Sequence, residues 1–460
     1  MDDFLSSLAQ IIGPAQLLTQ PADTAPFTLD VRRRYQGQPL AVAQPGSTAE
    51  VAALVRLCRQ HAVAIVPQGG NTSTCGAATP DTSGRQLVIA MRRLRQVRAL
   101  DAANHTLTVE AGATLAEVQQ AAASINRLFP LSLASEGSCQ IGGNLSTNAG
   151  GLAVLRYGTM RELTLGLEVV LPDGSILHAL SGLRKDTSGL DVKQLFIGAE
   201  GQLGLITAAT LKLFPRPTAH ATALVGVRNA SEAIDWLNAL KDRFGDRLTT
   251  FEILSEVCQR LLEQYHPGQL PFQAPWALLI ELSDSGEPAQ LAEQLVQWLA
   301  ERDLVDGVVA KNEAERQQLW QLREAMSETQ KRDGPSIKHD IAVPTSAIPA
   351  FVEHCETALR AAFPSVRIMA FGHAGDGNLH YNISYTRPDN ADLFADEARV
   401  NAIVYDTVYQ FAGTLAAEHG IGQLKPHWLQ HYKDPVALML MRQIKATLDP
   451  AGLMNPGKWL

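Results

Sequence analysis

Two histidines and a glutamate carry the densest chemical signal in the chain. The segment Gly372-His373-Ala374-Gly375-Asp376-Gly377-Asn378-Leu379-His380 sets two imidazoles seven positions apart. On one regular strand they would face opposite ways, because side chains alternate along a strand. Gly375, Asp376 and Gly377 break such a strand and permit a turn, after which both rings can converge. Ala417-Glu418-His419-Gly420-Ile421-Gly422 offers a carboxylate and another imidazole. Two neutral histidines and one carboxylate form a borderline N/O donor set suited to zinc or manganese, with a position left for substrate oxygens. His373, His380 and Glu418 are the candidate ligands. A histidine pair alone is more often packed or bonded locally than metal-bound; the glycine turn and the Glu-His pair shift that balance. An imidazole with pKa near neutrality can also take a proton, and His419 is the candidate base. The competing role for it is to orient Glu418.

Two cations complete the chemistry. Arg323 stands in Trp320-Gln321-Leu322-Arg323 and Lys338 in Ile337-Lys338-His339-Asp340. Arginine grips a carboxylate with two parallel hydrogen bonds; lysine offers a point charge. Two cations near one site point to a dicarboxylate, although most Arg and Lys side chains are merely solvated.

Three glycine-rich stretches occupy the first half, at 67–74, 135–151 and 198–204. Glycine lets the backbone approach a ligand closely. Successive N–H groups in such turns make concave anion sites, and Ser, Thr and Asn add donors. Together they suit a pyrophosphate. No GxxxxGK[ST] and no strand-turn-helix GxGxxG is present, so P-loop and Rossmann readings are poor.

The elements that must position these groups alternate in long units. A helix is expected at 47–61, where Ser47 and Glu50 fit a capping box, and another opens at Thr114 and Glu117. Strands are expected at 62–66, 87–91, 106–110, 164–171 and 204–214. Pro215-Arg216-Pro217 ends this half. Beyond it the pattern gives helices at 231–244, 287–301, 313–332 and 348–363. Strands are expected at 276–282 and 341–344, with two more around a glycine turn within 367–384. The class is α+β.

The chain has 460 residues, 46% hydrophobic and 19% charged, with net charge −8. That is ordinary globular composition, enough for two or three domains. No Lys/Arg-rich block marks a nucleic-acid surface. Five scattered cysteines without CxxC fit a reducing compartment. No leader pattern follows Met1 and no apolar run is long enough to span a bilayer, so a cytoplasmic location is expected.

The order of the glycine-rich stretches resembles FAD-linked oxidoreductases of the vanillyl-alcohol oxidase and p-cresol methylhydroxylase type, over nearly the whole chain beyond residue 35. The resemblance implies a two-subdomain FAD-binding (PCMH-type) domain at 36–217, after an N-terminal helical segment at 1–35. It further implies an α+β cap or substrate domain with the metal site at 218–425, and a C-terminal segment at 426–460 returning to the flavin domain. The flavin-contacting positions it implies begin with Pro67, Gln68, Gly69, Gly70, Asn71, Thr72 and Ser73 in the pyrophosphate loop. Glu136, Gly137, Ile141, Gly142, Gly143, Ser146, Thr147, Asn148, Gly150, Gly151 and Tyr157 follow, then Glu200, Gly201, Gly204, Ile206 and Asn455. Asn71 stands where a covalently flavinylated relative would carry histidine, so non-covalent FAD is expected. Residues 372–380 and 418–420 resemble the metal motif of the D-2-hydroxyglutarate and D-lactate dehydrogenase branch. That assigns zinc ligation to His373, His380 and Glu418, and base function to His419. It also implies that Arg323, Ser327 (where Thr is frequent), Lys338 and Asn382 contact the substrate.

The expected activity is oxidation of D-2-hydroxyglutarate, with D-malate also accepted, to the 2-keto acid by hydride transfer to FAD. A D-lactate or glycolate dehydrogenase of the same fold is the alternative, and Lys338 speaks against it. A flavin-free metallohydrolase would leave the glycine stretches idle. A non-catalytic flavin subunit would leave the cations idle. An electron-transfer flavoprotein or a quinone is the expected electron acceptor, and a homodimer the base-rate assembly.

Overall fold

The computed structural model describes residues 2–386 and 393–459. The chain packs as two compact units. Residues 1–150, 158–216 and 418–460 form the first; residues 151–157 and 217–417 form the second. The division between Arg216 and Pro217 falls in the Pro-Arg-Pro stretch that marks the boundary in the sequence. Two exchanges differ from the sequence division. Residues 151–157 pack with the second unit because Arg156 reaches across to Ser283, donating to its carbonyl at 2.8 Å and its hydroxyl at 2.6 Å. Residues 418–425, placed with the cap by sequence, pack with the first unit.

The first unit holds two sheets. In one, Ala41–Ala43, Leu87–Ala90 and Ile65–Gln68 run parallel, and Leu17–Leu18 adds an antiparallel edge. The N-terminal helix Asp2–Ile12 repeats Phe4, Leu8 and Ile12 at helical spacing, and all three are buried in this sheet's core. The helix Thr48–Gln60 packs beside it. Its cap departs slightly from the expected box: Ser47 accepts from the Glu50 N–H, but the Glu50 carboxylate reaches back to the Gly46 N–H at 2.8 Å. At Thr114 and Glu117 the reciprocal box is complete.

The other sheet is antiparallel, in the order Val97–Asp101, Thr106–Glu110, Leu205–Lys212, Thr164–Val170, Ile176–Ala179. Both sheets belong to this one compact unit.

The second unit is built on a seven-stranded antiparallel sheet. Its order is Asp306–Val309, Ala219–Val227, Trp276–Asp284, Leu248–Ser255, Val366–Gly372, Asn378–Tyr385, Asp340–Ala342. Helices including Glu256–Tyr265, Glu313–Asp333 and Ile348–Ala362 cover it. The central strand Leu248–Ser255 is buried along its whole length. Among the described residues, no helix is long and apolar enough to cross a membrane.

Candidate active site

In the first unit the strand Ile65–Gln68 runs into the loop beginning at Gly69. Gln68 is buried and its amide donates to the carbonyls of Phe27 and Ala78. At Gly70 a Cβ would lie 1.8 Å from the Ser138 carbonyl oxygen, so only glycine lets these two loops approach. Asn71 adopts φ +55° and donates to the Leu29 carbonyl at 2.9 Å. Ser73 accepts from the N–H groups of Cys75 and Ala77. The short helix Ile141–Ser146 sits against Ala111 through Gly142.

Two glycines behave differently from these. A Cβ on Gly137 or Gly143 would find no protein atom within 4 Å. Nothing in the packing requires glycine there, and the bare backbone faces open space. A cradle of turns with such gaps fits a pyrophosphate-bearing cofactor. Among the expected flavin positions, Gly151 and Tyr157 alone pack with the second unit.

Glu200 is more specific than a loop residue. It is buried, adopts φ +48°, and its carboxylate accepts from the N–H groups of Ile421 at 2.6 Å and Gly422 at 2.8 Å. Burial raises its pKa, and these N–H donors pull against that rise. A Cβ on Gly420 would lie 2.6 Å from Glu200 Oε1. Glu418 and His419 thus enter a turn pinned by Glu200. Asn455 in turn donates to the carbonyls of Glu200 and Ala77, and the Gln202 amide donates to the carbonyls of Asn455 and Lys458. The C-terminal segment therefore closes this unit.

In the second unit, Val366–Gly372 and Asn378–Tyr385 form a hairpin in which Phe371 pairs with His380. The intervening turn brings the His373 and His380 rings to 5.7 Å between centroids at 75°. Gly377 is required there, since a Cβ would lie 2.2 Å from the Val343 carbonyl oxygen. The Nδ1 of His373 bonds Glu252 Oε1, which leaves Nε2 as its ligand atom. Glu252 Oε2 accepts from Arg323 Nε at 2.6 Å. The Arg323 guanidinium lies over Phe371 at 5.1 Å, and Phe371 meets His380 at 4.9 Å. Arg323, Glu252, His373, His380 and Phe371 close into a ring of side chains.

Burial alone would raise the Glu252 pKa. The charges of Arg323 and His373, with their hydrogen bonds, outweigh it and hold the carboxyl at about 2. Sequence reasoning missed Glu252 and the strand that carries it. The available signal was a lone acid inside an apolar, β-branched run, Leu248-Thr249-Thr250-Phe251-Glu252-Ile253-Leu254.

Ser327 lies one helical turn beyond Arg323 and is exposed. Lys338 is half-buried, two residues before the strand Asp340–Ala342. Asp340 pairs with His380, and its carbonyl accepts from Ala417, the residue before Glu418. Asn382 is buried, accepting from the His339 N–H and donating to Gln330 Oε1. It holds the backbone next to Lys338. The five cysteines are all buried and unpaired, and burial pushes the Cys75 and Cys139 thiols up.

The family model for the FAD linked oxidases, C-terminal domain, matches residues 216–459, and that for the FAD binding domain matches 39–180. D-2-hydroxyglutarate dehydrogenase, mitochondrial, of Bos taurus is 37% identical, across 100% of this chain and 84% of its own. D-2-hydroxyglutarate dehydrogenase of Xanthomonas citri pv. viticola is 37% identical across 99% and 97%. The crystal structure of p-cresol methylhydroxylase with substrate bound superposes with a TM-score of 0.79 at 16% identity, covering 100% of this chain and 96% of its own.

Proposed function

The chain belongs to the FAD-linked oxidases, and from that premise we propose that it oxidises D-2-hydroxyglutarate to the 2-keto acid in a metal-assisted reaction. One observation carries this reading: the closed ring that sets Arg323, a carboxylate-binding cation, against the two imidazoles. The two relatives described above, which match 99% or more of the chain, bear the name of this activity.

Bound FAD supplies the hydride acceptor. The N–H groups and glycines of 67–74 and 137–143 would hold its phosphates. Asn71 offers no nucleophile and the nearby thiols are buried, so FAD is held without a covalent link. A divalent metal, zinc by donor type, would acidify the substrate hydroxyl. His373 Nε2, His380 and Glu418 would hold it. Arg323 meets the carboxylate next to the reacting carbon, and Lys338 meets the distal one. His419 takes the hydroxyl proton as hydride leaves the same carbon. D-malate, one methylene shorter, is turned over more slowly. Electrons then pass to an electron-transfer flavoprotein or a quinone.

The test is anaerobic mixing of purified, metal-replete protein with D-2-hydroxyglutarate, D-malate, D-lactate and L-2-hydroxyglutarate, followed at the flavin maximum. Rapid bleaching by D-2-hydroxyglutarate, slower by D-malate and abolished by chelator is expected. Faster bleaching by D-lactate would overturn the assignment of Lys338. Lys338→Ala should cost D-2-hydroxyglutarate turnover on the order of 100-fold, the worth of a charge-assisted hydrogen bond, and spare D-lactate.

A further inference from the structure

The Glu252 carboxylate is distant in sequence from the two side chains it bonds: 121 positions from His373 and 71 from Arg323. Its side chain is wholly buried, and its two oxygens serve two different partners. Oε1 bonds His373 Nδ1, and Oε2 accepts from Arg323 Nε. We infer that Glu252 is a positioning residue that sets the metal site and the substrate-carboxylate site together. The inference rests on the roles proposed above for His373 and Arg323.

Each half follows from hydrogen-bond chemistry. A carboxylate at Nδ1 keeps the proton on that nitrogen, so the Nε2 lone pair faces a cation, and it fixes the ring plane. Oε2 accepts from Arg323 Nε and lies 2.6 Å from Nη2, which is buried without a hydrogen bond of its own among the described residues, so Glu252 sits at the side edge of the guanidinium. The end-on edge, formed by the two Nη groups, is left for a substrate carboxylate. The Arg323 guanidinium lies over the Phe371 ring, which meets His380 at a tilt of 43°, so Phe371 backs both groups.

The same sheet supplies an internal control. Glu281, on the neighbouring strand, is also buried. It accepts from Arg316 Nε and Nη2 at 2.9 Å each, from Trp320 at 2.6 Å and from Thr222 at 2.9 Å. Arg316, Trp320 and Arg323 all come from the helix Glu313–Asp333. One helix thus pins two buried carboxylates, of which only Glu252 also holds a candidate ligand.

The experiment compares Glu252→Gln, Glu252→Asp, Glu281→Gln and His373→Ala in the flavin-loaded full chain. Zinc affinity is read by competition with a chromophoric chelator, without turnover. KM and kcat for D-2-hydroxyglutarate are read at saturating zinc, with flavin absorbance and melting temperature as checks on folding. A glutamine can accept from only one of the two donors and turns an amide N–H toward the other. Glu252→Gln should therefore weaken zinc binding about 10–100-fold and raise KM by roughly tenfold or more, with kcat changed less. Glu252→Asp, which keeps both oxygens, should recover part of the zinc affinity. It also carries the test if the glutamine variant does not fold. Glu281→Gln should lower the melting temperature while leaving zinc affinity and KM near wild type.

Equal behaviour of the Glu252 and Glu281 variants in zinc affinity and KM would reduce Glu252 to a structural ion pair and overturn the inference. Wild-type protein that binds zinc no better than His373→Ala would instead overturn the metal reading, and this inference with it. The His373→Ala comparison tells the two failures apart.

Discussion

On the proposed reading, the glycine-rich cradle of the first unit and the side-chain ring of the second would bind charge in opposite ways. The cradle is made of backbone: Gly70 against the Ser138 carbonyl, bare backbone at Gly137 and Gly143, and left-handed turns at Asn71 and Glu200. The ring is made of side chains, four of them ionisable, carried on three strands, a turn and a helix: Glu252, Phe371, His380, His373 and Arg323. Backbone dipoles do not titrate and cannot be mutated one at a time. Side-chain networks titrate, and each member can be removed singly. Damage to the first should therefore act through shape, and damage to the second through charge.

The sharpest expected separation is at His419. His419→Asn should lower kcat on the order of 10²–10⁴-fold, the usual worth of a general base, with flavin absorbance and zinc content retained. Near-normal kcat would remove the base from the mechanism.

Glu281 tests the electrostatic half of the contrast away from the reacting groups. Burial alone would raise its pKa, but the nearby His220 imidazole, the hydrogen bonds from Arg316 and Trp320 and the Arg316 charge lower it to about 2. A carboxyl whose folded pKa is depressed contributes stability that is full above its unfolded value near 4.5. That stability is lost as pH falls from there toward 2. Denaturant melts over this range should show a loss on the order of 3 kcal/mol. Glu281→Gln should flatten that dependence, and an unchanged pH profile in the variant would show that the network does not titrate as described.

Gly70→Ala probes shape alone. The added methyl must displace the Ser138 carbonyl at a cost of about 1–3 kcal/mol of strain. FAD should then bind roughly tenfold or more weakly, while zinc titration stays normal. Full retention of yellow colour on dilution would detach this loop from the cradle. The smallest effect is expected from Ser47→Ala, about 1 kcal/mol from a lost helix cap, with neither ligand affected; a change in flavin affinity there would mean that the helix Thr48–Gln60 does more than scaffold.

The same contrast decides what could be read from sequence. The cradle is made of three stretches that are each contiguous, so its glycines announce themselves in order, and the Thr114–Glu117 cap is likewise local. His373 and His380 were legible because both belong to one hairpin and the glycine turn between them is visible. Glu252 was not legible, because its company is fixed by strand order: Ile253 pairs with Gly372 only once the sheet is assembled. Residues 151–157 pack with the second unit through Arg156 and Ser283, a contact across 127 positions that no local pattern records. Glu200 was placed among flavin loops, yet its carboxylate is spent on the turn after His419, a role that depends on backbone N–H groups 221 and 222 positions away.

The tie between Asn455, Ala77 and Glu200 carries a consequence for biosynthesis. A ribosome that has finished the first 216 residues must still make the whole second unit before the last strap of the flavin unit exists. At about 5–20 residues per second that interval is on the order of tens of seconds. During it the nascent flavin unit lacks Asn455, Lys458 and the turn that Glu200 will clasp. FAD capture should therefore be a late event, following release of the C-terminal residues. Stalling translation short of residue 455 should yield a chain that captures little flavin even though every glycine-rich loop has already been made.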